Sequence, residues 1–150
     1  MATTEDANLI LRLYELRREE VMRKARNYVF MELNPQSAED VMAIFTDLEH
    51  PEHNAYFRQV VSYWDMAASL VNHGTLNPQL FFDTNGEYLA IWAKFGDFVP
   101  QLRQTFGPQF LVNLEKLIQS QPDGLQKVQM FKERIKQWAA RRTQAQGKAS

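Results

Sequence analysis

Cysteine is absent from this 150-residue chain. Disulfide staples, thiolate metal ligands and cysteine nucleophiles are therefore excluded together. Long apolar runs are missing too. Charge interrupts each apolar-leaning stretch before it approaches the roughly 20 residues that a membrane-spanning helix needs, so no transmembrane segment is expected. The start, Met-Ala-Thr-Thr-Glu-Asp, is polar and acidic, unlike the basic and then apolar opening of a secretory leader. These absences lead to a cytoplasmic expectation. Sustained period-two alternation is not seen and β-branched residues are sparse, so no sheet is expected. Net charge is small as well, at −1 from 17 basic and 18 acidic groups, and gives no global attraction to nucleic acid or anionic lipid.

What the chain has is aromatic and apolar material at helical spacing. Hydrophobic residues make up 45% and aromatics 12%, enough for one domain of this length to bury a core without cross-links. Glycine and proline fall between the periodic segments. A long first helix is expected over residues 5–33, capped by Thr3 or Thr4 and stopped by Pro35. Ser37 followed by Asp40 is a capping-box variant and opens a second helix that ends near Glu49. Tyr56, Val60, Tyr63, Ala67 and Leu70 form an apolar stripe on a third helix, capped by Asn54 and closed by Gly74. Asn77-Pro78 opens a short helix. Thr84 and Glu87 are spaced as another capping box, and Asp97 is placed as a cap ahead of Pro100. Gly107-Pro108 restarts a helix, and Asp123 caps the last one, whose apolar face carries Leu125, Val128, Phe131, Ile135 and Trp138. The expected fold is all-α: a compact bundle of five to seven helices with a long N-terminal helix and an amphipathic, basic C-terminal helix. Residues 1–142 form the domain, and residues 143–150, with no apolar anchor, form a frayed tail. Val60, Trp64, Leu70, Trp92, Leu114 and Phe131 are the expected core.

Charge is uneven along the chain. Residues 123–150 carry seven basic and two acidic groups, while residues 31–122 carry four basic and eleven acidic groups. On the last helix, Lys127, Arg134 and Arg141 recur every seven residues along one edge of the apolar face. Such cations commonly lay their stems over apolar surface. They are equally suited to a phosphate-bearing ligand or to the acidic body of a second copy. No nucleic-acid-binding module accompanies them, so nucleic acid is not an expected partner.

Three other groups of residues invite chemistry. Arg58, Ser62, Asp65, Ser69 and Asn72 form a polar stripe on the third helix. It reads as a solvent face, or as a seam lining a pocket in which Arg58 holds an anion and Asp65 orients it. Residues 81–110 are crowded with rings, among them Trp92, Phe106 and Phe110, which read as core or as the wall of an apolar site. His50, Glu52 and His53 are suitable metal ligands by type. Here, though, the histidines flank a proline in a connector, and no helix holds them on one face. They read as residues of a solvated loop that cap helix ends, and no metal or other cofactor is expected. No histidine stands at a usable spacing from Ser62, so nucleophilic catalysis has no support.

The order of parts in residues 56–103 resembles an uncharacterised bacterial family of small all-helical proteins, a domain of unknown function. The shared parts are a charged first helix, an aromatic-rich helix ending in Val-Asn-His-Gly-Thr-Leu at 71–76, an acidic-aromatic segment with Trp92, and an arginine near the end of the next helix, here Arg103. In that family an acidic residue follows an aromatic in the middle helix, a place that Trp64-Asp65 fills. The resemblance implies an all-helical fold and a bacterial source, and no reaction. The residues then leave two leading functional expectations, ahead of a third, an enzyme using Arg58, Asp65 and nearby histidines. One is a helical interaction module without catalysis, self-associating or binding another protein through Lys127, Arg134 and Arg141. The other is a small-molecule sensor or binding protein, with a pocket between the third helix and segment 81–110 built from Arg58, Trp64, Asp65 and Trp92.

Overall fold

The computed structural model describes residues 1–149. Helix makes up 78% of the chain, and no strand occurs among the described residues. The order is α1 (Thr4–Arg17), α2 (Glu20–Asn27), a π-helical turn (Tyr28–Glu32), α3 (Ala38–Ala43), α4 (Glu52–Asn72), α5 (Pro78–Thr84), α6 (Glu87–Phe95), a 3₁₀ turn (Gly96–Phe98), α7 (Val99–Phe106), α8 (Val112–Ser120) and α9 (Gly124–Ala149). No described helix is long and apolar enough to cross a membrane.

α4 is the axis of the bundle. Its stripe is wide enough to be covered on several sides, chiefly by α2 and α8, and Phe57, Val60, Val61, Trp64, Ala67 and Ala68 are all buried. Gly74 follows it with φ of +75°, the left-handed conformation that ends a helix cheaply when no Cβ is present. Of the six expected core residues, Val60, Trp64 and Leu114 are buried. Leu70, Trp92 and Phe131 are half-buried against the core.

Several caps are where the sequence puts them. Thr3 and Asp6 form a reciprocal capping box at the start of α1. Ser37 Oγ accepts from Asp40 N–H at 3.2 Å, and Asn77 Oδ1 accepts from Leu80 N–H at 2.9 Å. Asp6 also reaches across the fold, accepting from Asn77 N–H at 2.7 Å, which ties α1 to the start of α5. Its carboxyl is held below the usual carboxylate range by the backbone N–H groups of Thr3 and Asn77.

Other boundaries differ, each for a visible reason. The expected helix over residues 5–33 is broken after Arg17, because Glu19 folds back to accept from Val21 and Met22 N–H at 3.1 and 2.9 Å and caps a new helix. The second helix stops at Ala43 rather than near Glu49, and Asp47 Oδ1 organises the connector by accepting from Glu49 and His50 N–H. α4 begins at Glu52, so Asn54 lies inside it and accepts from Arg58 Nε instead of capping. Thr84 and Glu87 do not form a capping box: the Thr84 hydroxyl donates to Leu80 O, and the Glu87 carboxylate turns into the fold. Asp97 pairs with Lys132 rather than capping α7, although Pro100 does sit in the first turn of that helix. α8 starts at Val112, later than Gly107-Pro108 suggests, after Leu111 takes φ of +54°. α9 continues through Ala149 and is exposed throughout residues 140–149. Ser150, the last residue of the expected tail, lies outside the described residues.

Candidate functional site

Arg58 and Asp65 are seven residues apart, two turns of one helix, and so share a face of α4. That face lines a cleft of about 540 Å³, whose opposite wall is built from Phe106, Gln109, Phe110 and Leu111 and whose floor includes Phe57 and Val61. Phe106 and Phe110 meet at 5.0 Å between ring centroids, and Phe45 lies 5.0 Å from Phe106. The cleft is thus an aromatic trough with a cation at its rim. Arg58 is exposed and donates to Asn54 Oδ1 at 2.8 Å.

Asp65 has a structural task there. The residue at the cap position of α8 is Leu111, which has no side-chain acceptor for the free N–H groups of the first turn. Asp65 supplies one from α4, accepting from Leu114 N–H at 2.9 Å and from Asn113 Nδ2 at 3.0 Å. Asn72 adds a bond from its Nδ2 to Asn113 O at 2.9 Å. On the other side of the loop, Arg103 donates to Phe110 O at 2.9 Å and pairs with Glu115 at 2.5 Å. The polar stripe of α4 and Arg103 together clamp the left-handed turn that forms one wall of the cleft.

Trp64 and Trp92 do not line this cleft. Trp64 is one residue from Asp65, a rotation of roughly 100° about the helix, and it is fully buried with its indole N–H on Glu87 Oε2 at 3.2 Å. Trp92 is half-buried on α6 beside Gly96, where an added Cβ would lie 2.8 Å from the indole nitrogen.

At the start of α4 the histidines come together. The chain turns tightly around Pro51, with His53 N–H donating to His50 O at 3.1 Å. The two rings stack at 4.7 Å between centroids, and His53 also stacks on Tyr28 at 3.9 Å. Glu52 Oε1 lies 3.7 Å from His50 Nδ1 and 3.9 Å from His53 Nε2. The proline between these side chains in sequence lies in the turn that places them on one side.

A model of the family described as Domain of unknown function (DUF4760) matches residues 2–120. The chain belongs to that family. No curated protein and no solved structure matches it. The DUF4760 match takes in the cleft, the Arg103 clamp and the histidine turn, and it ends before α9 begins at Gly124.

α9 therefore lies outside the matched DUF4760 region. Its first half packs on α6, with Val128 buried, and Lys132 reaches Asp97 at 3.0 Å. Lys127 pairs locally with Asp123 at 3.1 Å. Arg134 lies over the Phe131 ring and Arg141 over the Trp138 ring, each at 5.5 Å, and among the described residues neither has a carboxylate within salt-bridge distance. Trp138 is 63% exposed. Between α9 and the π-helical turn runs a groove of about 620 Å³ that includes Trp138, Arg142 and Lys94. Lys94 Nζ donates to Val29 O at 2.7 Å and to Leu33 O, and Arg142 donates to Met31 O. These two cations satisfy carbonyls that the end of a helix leaves free. Burial, with a smaller contribution from Arg142, pulls the Lys94 ammonium down to about 8. Lys94 does not stand out in the sequence as a site. Lys94 is a lone cation in an apolar segment, and its carbonyl partners are more than sixty residues away.

Proposed function

We propose that this chain is a helical interaction module without catalysis of its own, and that it self-associates by laying the basic edge of α9, marked by Lys127, Arg134 and Arg141, on the acidic body of a second copy. The observation that carries this reading is the exposed end of α9: Trp138 stands 63% exposed under Arg141, on a helix whose last ten described residues are all exposed. Two further facts support it. A compact monomer of this mass exposes roughly 7,900 Å², whereas this chain exposes 9264 Å². The excess is more than the roughly 800 Å² that each partner contributes to a standard interface. Charge is complementary as well, since residues 123–150 are basic and residues 31–122 acidic.

The test is the triple variant Lys127→Glu, Arg134→Glu, Arg141→Glu, compared with the parent chain by light scattering over a range of concentrations. The parent is expected to dimerise at tens of micromolar and the variant to stay monomeric with unchanged helix content. RNA and anionic vesicles should bind neither protein at low salt. A monomeric parent would sink the reading. So would tight binding to a polyanion that falls steeply with salt and is lost in the variant, because neutralised phosphates release counterions in that way.

A second reading, a small-molecule binder, draws on the aromatic cleft with Arg58 at its rim. Anilinonaphthalene sulfonate, an apolar anion, is a suitable probe. Its fluorescence on the folded protein should be lost in Ser62→Trp, which fills the cleft mouth. Arg58→Glu should weaken binding about tenfold, the effect of one charge-assisted contact. Equal binding by all three proteins would remove this reading.

A further inference from the structure

We propose that His50, Glu52 and His53 form a binding site for a divalent transition metal of the zinc, nickel or copper class, contrary to the expectation from sequence spacing. The ligand-bearing atoms of the three side chains all lie within 4.8 Å of one another. Glu52 Oε1 sits between the imidazoles, 3.7 Å from His50 Nδ1 and 3.9 Å from His53 Nε2. Ligands held tetrahedrally at zinc-to-nitrogen and zinc-to-oxygen distances are separated by roughly 3.3–3.5 Å. The carboxylate is within about half an ångström of that spacing to each ring, and swinging the exposed His50 ring out of its stack on His53 brings the third ligand in.

Two imidazoles and one carboxylate are the donor set that borderline divalent ions prefer, and hard ions such as calcium or magnesium do not. The site is partly organised before any ion arrives. His53 is its fixed member: its side chain is 19% exposed and its ring is held at 15° to the face of Tyr28. The backbone under His50 is held by Asp47, which accepts from His50 N–H at 3.2 Å. His50 and Glu52 are about half exposed and free to converge on an ion. The positive end of α4 opposes a cation at this place. Glu52 in its first turn, with Asp47 and Glu49 on the connector, counters that field. The alternative role for these histidines, capping a helix end, is not what they do: among the described residues neither ring nitrogen hydrogen-bonds a backbone group. Three protein ligands leave the remaining positions to water, which makes this an open, exchangeable site rather than a closed structural one.

The experiment uses the full chain stripped of metal by chelation and titrated calorimetrically with zinc, and separately with cobalt, whose visible absorption reports nitrogen and oxygen ligation. One ion per chain is expected. His50→Ala and His53→Ala should each weaken binding by at least about 100-fold, since losing a direct ligand costs more than the roughly 10–100-fold of losing an outer-shell partner. His73→Ala is the control, since His73 lies at the other end of α4 with Nδ1 on Ser69 O, and it should leave binding unchanged. His53→Ala also loses the Tyr28 stack, so the exposed His50→Ala variant carries the test if His53→Ala fails to fold. Absence of binding at millimolar zinc, binding that survives His50→Ala, or equal weakening by His73→Ala would each overturn the proposal.

Discussion

Replacing Trp64 with alanine is expected to cost about 3–5 kcal/mol of folding stability, the range for deleting a fully packed large ring. The side chain is inaccessible to solvent and sits among Tyr63, Phe81 and Tyr88, with ring centroids 4.9, 6.4 and 6.3 Å away. Those neighbours come from α4, α5 and α6, so the hole would open where three helices meet and could not collapse by moving one of them. The loss should appear in urea titration as a shifted midpoint with an unchanged slope, because the surface exposed on unfolding stays nearly the same. Trp64→Phe refills most of the volume and removes the N–H, so it should cost less than the alanine variant. Trp92→Ala should also cost less, since Trp92 is half-buried. A Trp64→Ala cost below about 1 kcal/mol would contradict the packing described, because cavities of that size do not come so cheaply.

Trp64 also shows what the sequence makes legible. Its place on a strong 3.6-residue stripe is enough to put it in a core, and the same pattern locates α4, its glycine stop and the Asn77-Pro78 start of α5. Local grammar is sufficient where both partners in an interaction lie within one turn. It misleads where an acceptor is used at long range. Glu87 is spaced from Thr84 as a cap, yet its carboxylate meets Arg26, 61 residues away, and Trp64, 23 residues away. Asp65 stands on a polar stripe that suggests solvent, yet it caps a helix 49 residues further on. The break between α1 and α2 depends on a glutamate acting as a cap, a residue outside the group that usually signals one. For the histidine turn, an intervening proline suggests separation, whereas a one-turn bend around it brings the rings together.

The parts of the cleft legible in sequence were one wall each. Arg58 and Asp65 follow from periodicity on α4, and Phe106 and Phe110 from the crowding of rings. Their meeting across the cleft depends on Leu111 adopting a left-handed backbone, which a non-glycine residue rarely does and which no spacing rule signals. Arg103 and Asp65, both among the features that mark the family resemblance, turn out to hold that one turn from opposite sides. The residues that brace the cleft thus all lie within the DUF4760 match, and the basic helix α9 follows it in the chain.

The second large effect is expected at Glu87. Its carboxylate accepts from Arg26 Nε at 2.9 Å and from the Arg26 terminal nitrogen at 2.6 Å, and from Trp64 Nε1 at 3.2 Å, so it joins α2, α4 and α6 at one point. Glu87→Ala would leave a largely covered guanidinium without its counter-charge and a buried indole N–H without an acceptor. Breaking a fully buried pair from one side costs about 3–5 kcal/mol. The Glu87 and Arg26 side chains retain 18% and 28% exposure. Water therefore softens the loss, and about 2–4 kcal/mol is expected. Glu87→Gln keeps an acceptor for Trp64 and removes the charge, so it should fall between the parent and the alanine variant. The deciding measurement is a double-mutant cycle with Arg26→Met. If the cost comes from the orphaned guanidinium, removing Arg26 as well should restore part of the stability, giving a coupling of about 1–3 kcal/mol. Additive losses from the two substitutions would mean that the pair is not coupled and that the packing around α6, rather than the charge, sets the price.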